Sequence, residues 1–402
     1  MKIFLRILSS ILIFLLALTS GCTNTNRTPP VPQKPVLSEK TSQFLENESI
    51  DDDLRAIMES TATAPIPASS FDRIEEALSN DEITEEEAVL YSLQVAFDPS
   101  SLPGKYIGSD IETYFEVHAE LQWILDNWND LSEKSKEVFK PYILPPDNPE
   151  SIFSPEKKQN RKFSLVPHVN AASNDWKKEV FNIPGSSNTV EIQYFAPDNF
   201  PQTLNDQMKS RAVKVKKAFE KAWPKFKNLL GVEPSKSFEV KLGTVQQIIQ
   251  NPNNSNSGMI GVNGFALWDA QAQNCRIIIE ENLDGKELES TAVHELFHCF
   301  QFYMGLTFYR GNKDLLWVME ATAVWSENFV YPKYNTEHEY LEYFFKTLNV
   351  DRVNANKKHE YSSYLLFFFL SQYLANDRHV ADILRESKNG DIRMAVMGNI
   401  ED

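Results

Sequence analysis

The spacing of apolar residues in the first part of the chain predicts helices. Phe71, Ile74 and Leu78 recur at intervals of three and four residues, which is the period of one helical face. Thr84 and Glu87 match a capping box, in which each residue binds the backbone of the other, so a second helix is expected to begin there. This pattern predicts a mostly helical first region.

A cluster of prolines between residues 141 and 155 interrupts the helical pattern. We place a domain boundary near residue 165 and assign residues 42–165 to an acidic helical domain. From about residue 175, polar and apolar positions alternate instead, as in Thr189–Phe195, which is typical of a strand. The change of period marks the start of a second domain.

The second domain, residues 175–402, combines strands and helices. Apolar residues repeat every three or four positions from Ala212 to Leu229, which predicts a long helix over 206–230 that ends near Gly231. Further strands are expected at Phe238–Leu242, Phe265–Trp268 and Arg276–Glu280, and helices dominate the rest. A small mixed sheet followed by helices indicates the α+β class.

Composition excludes several classes of protein. The 402 residues include 42% hydrophobic side chains, which is enough to form a packed core rather than a disordered chain. The 40 basic and 56 acidic residues give a net charge of −16, which argues against a nucleic-acid-binding surface. Three cysteines are too few for a disulfide scaffold.

The first residues have the form of a secretory signal. Lys2 and Arg6 precede an apolar run over residues 7–18, small residues follow, and Cys22 comes next. This end resembles the lipobox of bacterial lipoproteins, although Thr19 stands where that family usually has Leu. The resemblance implies that the sulfur of Cys22 carries a diacylglycerol.

That resemblance predicts the organisation of the N-terminal part. Residues 1–21 would be a lipoprotein signal peptide and residues 22–41, rich in Thr, Asn and Pro, a flexible tether. Lipid chains on Cys22 would hold the protein on a membrane that faces outside the cytoplasm, at the bacterial cell envelope. An ordinary secretory signal with a chance cysteine is the alternative.

The most specific chemical signal is the motif His294-Glu295-Leu296-Phe297-His298. Histidines four residues apart on a helix leave from the same side, so two ring nitrogens are available for one Zn2+ ion. Glu295 lies beside such an ion and suits the role of general base. A helix that carries two histidines by chance is the alternative.

A third ligand is needed, and Glu320 is the candidate. Gln301 and Met304 stand where the His-x-x-Gly-x-x-His completion needs Gly and His, so that version fails. Glu320 follows at a distance that allows a loop and a returning helix, and its apolar surroundings call for a cation as partner. Glu327 falls on the same helical face as Glu320, either as an acceptor for a ligand imidazole or as a solvent-facing carboxylate.

These motifs resemble the gluzincin metallopeptidases, the thermolysin- and aminopeptidase-like superfamily also called peptidase MA-like. The resemblance implies metal ligands His294, His298 and Glu320, a catalytic Glu295 and a zincin-like domain over roughly 180–385. It also implies an edge strand that binds an extended substrate, and this strand would include Ala266, Leu267 and Trp268. An ordinary core strand is the alternative for that segment.

Two more implications concern the ends of the domain. Gluzincins use a Tyr or His from a later helix to stabilise the oxyanion, and Tyr361 and Tyr364 are the candidates, with a packing role as the alternative for each. The chain after Glu320 is short for this architecture, so the C-terminal helices are expected to be trimmed or truncated. The acidic region 42–165 is similar to leader regions of secreted bacterial metallopeptidases, which predicts an inhibitory prosegment or an accessory domain.

The remaining cysteines and histidines carry weaker signals. Cys275 and Cys299 could form a disulfide outside the cytoplasm, or remain two buried thiols. Four histidines without a partner pattern are expected to be surface or capped residues: His118, His168, His338 and His379.

The sequence thus predicts a zinc-dependent metallopeptidase that hydrolyses peptide bonds at the cell envelope. Its partners would be a peptide or protein substrate and a membrane, and not nucleic acid. The alternative is an envelope lipoprotein whose gluzincin-like site is structural or inactive and which acts as a binding module.

Overall fold

The computed structural model describes residues 68–108, 117–154, 175–183, 188–250, 257–308, 312–340, 363–373 and 376–388, together with Tyr361 and Ile392. The predicted signal peptide, the lipidation site Cys22 and the tether lie outside the described residues. No helix among the described residues is both long and apolar enough to cross a membrane.

The described residues before 155 form helices and no strands. Their four α-helices are α1 (Ser70–Ser79), α2 (Glu85–Phe97), α3 (His118–Asn127) and α4 (Glu133–Ile143). The capping box at the start of α2 is confirmed, since Glu87 N donates to Thr84 Oγ1 (3.2 Å) and Thr84 N donates to Glu87 Oε2 (2.9 Å). The prediction of a helical first region is confirmed for this part of the chain.

Five strands of the second region form one mixed sheet. The strands of the region are β1 (Trp176–Asn182), β2 (Thr189–Phe195), β3 (Phe238–Gly243), β4 (Gln246–Gln250), β5 (Ser257–Gly261), β6 (Gly264–Asp269) and β7 (Asn274–Glu280). The sheet has the order β1-β2-β3-β7-β6, with β2, β3 and β7 parallel and both outer pairs antiparallel. β4 and β5 form a separate antiparallel pair.

The strands and the long helix predicted from the sequence are confirmed, and the structure adds β1 and the β4–β5 pair. The α-helices among the described residues of this region are α5 (Gln202–Leu230), α6 (Gly285–Tyr303), α7 (Lys313–Val330), α8 (Tyr364–Tyr373) and α9 (Arg378–Ser387). α5 buries its apolar stripe and ends at Gly231, whose φ of 71° is left-handed and suits glycine. The protein is therefore a mixed α/β structure.

Helices pack on both faces of the sheet because its strands alternate their apolar side chains. On β6, Phe265 and Leu267 belong to the core shared with the N-terminal helices, whereas Ala266 belongs to the core shared with α5–α9. Lys241 on β3 is buried on the N-terminal side, where its Nζ lies 2.7 Å from Asp147 Oδ1. The N-terminal helices and the sheet thus share one core.

β6 lies at the edge of the sheet, next to β7. This position among the described strands agrees with the expected edge strand, and its role in substrate binding stays a prediction. An edge strand has one row of backbone groups that no neighbouring strand binds. What lies against that row in this protein is described with the site below.

A disulfide joins Cys275 on β7 to Cys299 on α6, with 5.6 Å between the Cα atoms. Of the two alternatives for these cysteines, the structure has the bond. Cys299 directly follows His298, so the bond ties the motif helix to the sheet one residue from a candidate ligand. The α6 helix is thereby held in one position relative to β6 and β7.

Candidate metal centre

Two neighbouring helices bring the motif and the candidate third ligand together. His294, Glu295 and His298 lie on α6 and Glu320 lies on α7, and all four side chains are buried. His294 Nε2 lies 3.3 Å from Glu320 Oε2, and His298 Nε2 lies 3.5 Å from Glu320 Oε1. Both imidazoles therefore point at one carboxylate.

A third imidazole reaches the same carboxylate from the N-terminal region. His118, at the start of α3, places its Nδ1 3.5 Å from Glu320 Oε1. The expectation that His118 is a surface or capped residue is wrong, since its side chain is buried and stacks on Phe308 with ring centroids 4.6 Å apart. His118, His298 and Glu320 offer ligand atoms that all lie within 4.8 Å of one another.

These donors fit a metal ion such as zinc. Ligands at about 2.0–2.1 Å from a tetrahedral ion lie about 3.4 Å apart, which agrees with the three separations of 3.3–3.5 Å around Glu320. His298 Nε2 and Glu320 Oε1 are buried and have no hydrogen-bond partner among the described residues. Burying unpaired polar atoms is costly, and a cation would satisfy both at once.

Gln301 orients His298, a role that sequence reasoning missed. The Gln301 amide nitrogen donates to the carbonyl of Met319 (3.0 Å) and to Thr322 Oγ1 (2.8 Å). Because a carbonyl only accepts, the Gln301 oxygen must face the other way, 2.8 Å from His298 Nδ1. His298 Nδ1 therefore donates, and the lone pair of its Nε2 is directed at the site.

Glu327 has the same relation to His294. Its Oε1 lies 3.2 Å from His294 Nδ1, and its Oε2 accepts from Thr336 Oγ1 at 3.0 Å. Glu327 is buried, so the solvent-facing alternative is excluded. The contact with Glu327 keeps the His294 ring oriented with its Nε2 towards Glu320.

Burial and neighbouring charges shift the pKa values of His294 and Glu320 in opposite directions. Burial alone would lower the pKa of His294, but contacts with Glu320 and Glu327 outweigh it and raise that pKa to about 10. Burial would raise the pKa of Glu320, yet the rings of His298, His118 and His294 hold that pKa well below its usual range. The shift therefore favours the ionised form of Glu320.

Glu295 lies between this cluster and a cavity. The cavity is also lined by His294, Glu327, Gly264, Tyr340 and Tyr361, among others. A Cβ at position 264 would lie 3.1 Å from Glu295 Cγ and Oε1, so only glycine there leaves normal room for this side chain. Glu295 and the strand β6 thus approach each other closely.

The two candidate tyrosines differ in position. Tyr361 lines the cavity and its ring is nearly parallel to that of His294, with centroids 6.0 Å apart. Tyr364 is fully buried and does not line the cavity, and burial, with added repulsion from Glu337 and Glu327, raises its pKa. Of the two, Tyr361 is the one that can reach a group bound in the cavity.

Side chains of α3 bind the row of β6 backbone groups that faces away from β7. Ala266 N donates to His118 Nε2 at 3.1 Å. Trp268 N donates to Gln122 Oε1 (3.0 Å), and Gln122 Nε2 donates to the carbonyl of Trp268 (3.1 Å). Leu267, the residue between them, points its buried side chain into the N-terminal core.

Two comparisons with known proteins were made on the sequence. No protein-family model matches the chain, and no curated protein matches it either. The resemblance to gluzincins therefore depends on the motif residues and on the arrangement described above.

Proposed function

We propose that the protein is a zinc-dependent hydrolase that cleaves peptide bonds. The observation that carries the proposal is the pair of buried, unpaired atoms, His298 Nε2 and Glu320 Oε1, beside the carboxylate of Glu295. His294, His298 and Glu320 would hold the ion, with His118 as a further donor. When bound, zinc polarises a carbonyl and acidifies water at neutral pH.

The chain's own residues would carry the proton transfers and the positioning. Glu295 takes the proton of the attacking water and passes it to the leaving amine nitrogen, which is the work of a general base that becomes a general acid. Tyr361 lines the cavity beside His294 and would donate a hydrogen bond from its hydroxyl to the developing oxyanion. Gln301 and Glu327 keep the two motif imidazoles in the required orientation.

The substrate would be an extended peptide. The outward N–H and C=O groups of Ala266 and Trp268 on β6 would pair with it, as a strand added to the edge of the sheet. These groups belong to the strand that passes close to Glu295, since a Cβ at position 264 would lie 3.1 Å from that side chain. We also propose that the second region has a zincin-like arrangement. A lipid on Cys22 would hold the protein at the cell envelope.

Zinc content and hydrolysis test the proposal together. We expect about one zinc per chain in the wild type, and its retention in Glu295→Gln, because that residue is not a ligand. We expect hydrolysis of casein or a quenched fluorescent peptide to fall by about 100- to 10,000-fold in Glu295→Gln. Glu133→Gln, which changes an exposed carboxylate of α4, is the matched control. Equal hydrolysis by wild type and Glu295→Gln would refute the assigned base.

One observation favours the alternative of a structural or inactive site. Structural zinc sites have four protein ligands and no open position, whereas catalytic sites keep one position open. His118 supplies a donor next to His298 and Glu320, and with His294, which contacts the other oxygen of Glu320, the protein donors would number four. A bound zinc without any hydrolysis, both in the wild type and after His118 is removed, would favour a binding or accessory lipoprotein.

A further inference from the structure

The site is occupied by a segment of the chain's own N-terminal region. Helix α3 contacts β6 along the row of backbone groups where an added strand would lie. Its first residue, His118, reaches between the candidate ligand Glu320 and the candidate base Glu295. Helix α3 therefore contacts the edge of β6, the candidate ligand Glu320 and the candidate base Glu295, all of which a substrate would approach.

The hydrogen bonds of α3 imitate those of a paired strand. His118 and Gln122 are four residues apart and leave the same side of the helix, separated by a rise of about 6 Å. Ala266 and Trp268 are two residues apart on the strand, a distance of about 6.7 Å. The two spacings match, so one imidazole and one amide side chain bind the backbone groups that a peptide substrate would bind.

The position of the imidazole blocks the chemistry as well as the strand. His118 Nε2 lies 3.2 Å from Glu295 Oε2, and His118 Nδ1 lies 3.5 Å from Glu320 Oε1. A water or a substrate carbonyl placed between the ion and the base would have to occupy this volume. Phe308 stacks on the ring and His298 packs beside it, which holds the imidazole in place.

We propose that α3 is an internal inhibitor: His118 fills the space between Glu320 and the candidate base Glu295, and Gln122 closes the substrate edge of β6. The inference rests on the proposed hydrolase function and specifies its regulation. It assigns residues 68–108 and 117–154 the role of an inhibitory region and predicts that this arrangement lowers the activity of the wild type at least tenfold without abolishing it. α3 also buries Leu121 and Ile124 in the core shared with β6. Moving α3 away from β6 would therefore require the loss of this packing.

Access to the zinc-loaded site tests the inference without relying on turnover. The probe is a fluorescently labelled extended peptide that ends in a hydroxamate, and its binding to the full chain is measured by anisotropy. We expect the double variant His118→Ala/Gln122→Ala to bind the probe at least tenfold more tightly than the wild type, with zinc content unchanged. His338→Ala, at an exposed histidine, is the control and should bind like the wild type.

A second variant tests the same contact with less risk that the protein fails to fold. Gln122→Met keeps nearly the same length and volume but loses both hydrogen bonds to Trp268, so the edge should open without a cavity in α3. We expect it to bind the probe several-fold more tightly than the wild type and to keep the wild-type circular dichroism spectrum. Unchanged probe binding by folded Gln122→Met overturns the inference.

The two proposals fail in different ways. If His118→Ala loses its zinc and binds the probe less tightly, His118 is a required ligand and the inhibitory role is refuted. If the double variant binds the probe tightly and hydrolyses peptides at least tenfold faster than the wild type, both proposals are supported. If it binds the probe tightly but hydrolyses no faster than its Glu295→Gln counterpart, the inhibitor stands and the hydrolase fails.

Discussion

Helices α6 and α3 both bring histidines to one carboxylate, but only α6 is recognisable from the sequence. His294 and His298 are four residues apart with a glutamate between them, a spacing whose chemical meaning is local. His118 stands alone and is separated from Glu295 by 177 residues. The comparison teaches that a ligand set within one helix is visible in a sequence, whereas a ligand delivered by a distant segment is not.

The two helices are also held in different ways. α6 is buried along almost its whole length and is tied to β7 by a disulfide. α3 is held by apolar packing and by side-chain hydrogen bonds to the edge of β6. We therefore expect changes near α6 to affect metal binding and stability, and changes in α3 to affect access to the site.

The largest effect is expected where the two helices meet, at Glu320. Glu320→Ala removes the carboxylate that faces His294, His298 and His118, so zinc content should fall from about one per chain to near zero. The loss in affinity should exceed the roughly 100-fold that is lost with a supporting residue. Atomic absorption after dialysis measures it, with the exposed Glu133→Gln as control. Full zinc retention would show that the carboxylate is not a ligand.

The second effect concerns the tie between α6 and the sheet. Replacing Cys275 and Cys299 by serine should lower the free energy of unfolding by about 3 kcal/mol, the stabilisation typical of a loop of this size. Urea denaturation of the oxidised wild type and the double variant measures the difference. The wild type in reductant should behave like the variant, and no difference between the two oxidised proteins would contradict the role of the bond.

The third effect separates orientation from ligation on α6. Gln301→Leu leaves His298 Nδ1 without its acceptor, so zinc affinity should fall by about 10- to 100-fold while the ligands stay in place. Competition with a chromophoric chelator measures the affinity. Gln202→Leu, at an exposed position of α5, provides the comparison, and equal affinities for both variants would rule out the orienting role.

The smallest effect is expected at the start of α2, in the N-terminal region. Thr84→Ala removes one half of the capping box of α2 and should cost about 1 kcal/mol of stability. Zinc content and affinity should not change, because no contact links Thr84 to the site among the described residues. A change in zinc affinity in this variant would mean that the N-terminal helices and the metal centre are coupled more widely than α3 alone.

Much of the fold and part of the site could be predicted from the sequence. The apolar period of α5, the alternation of β2 and the motif of α6 each specify local structure, because the repeat of a helix or strand is set by its own backbone geometry. Strand β1 was missed because its apolar positions are few and several of its residues are charged. Gln301 enters the sequence analysis only as a residue that stands where Gly would be needed, although it binds His298.

The sequence alone determined the helices, most of the strands and the candidate ligands His294, His298 and Glu320, since each follows from residues close together in the chain. Only the tertiary structure decided that His118 joins them, that Cys275 bonds to Cys299 and that α3 covers the edge of β6. These contacts join segments that are distant in sequence, and their geometry depends on how the helices pack on both faces of one sheet. Hydrophobic packing is non-directional, so the pattern of apolar residues indicates that such segments are buried but not which side chains meet.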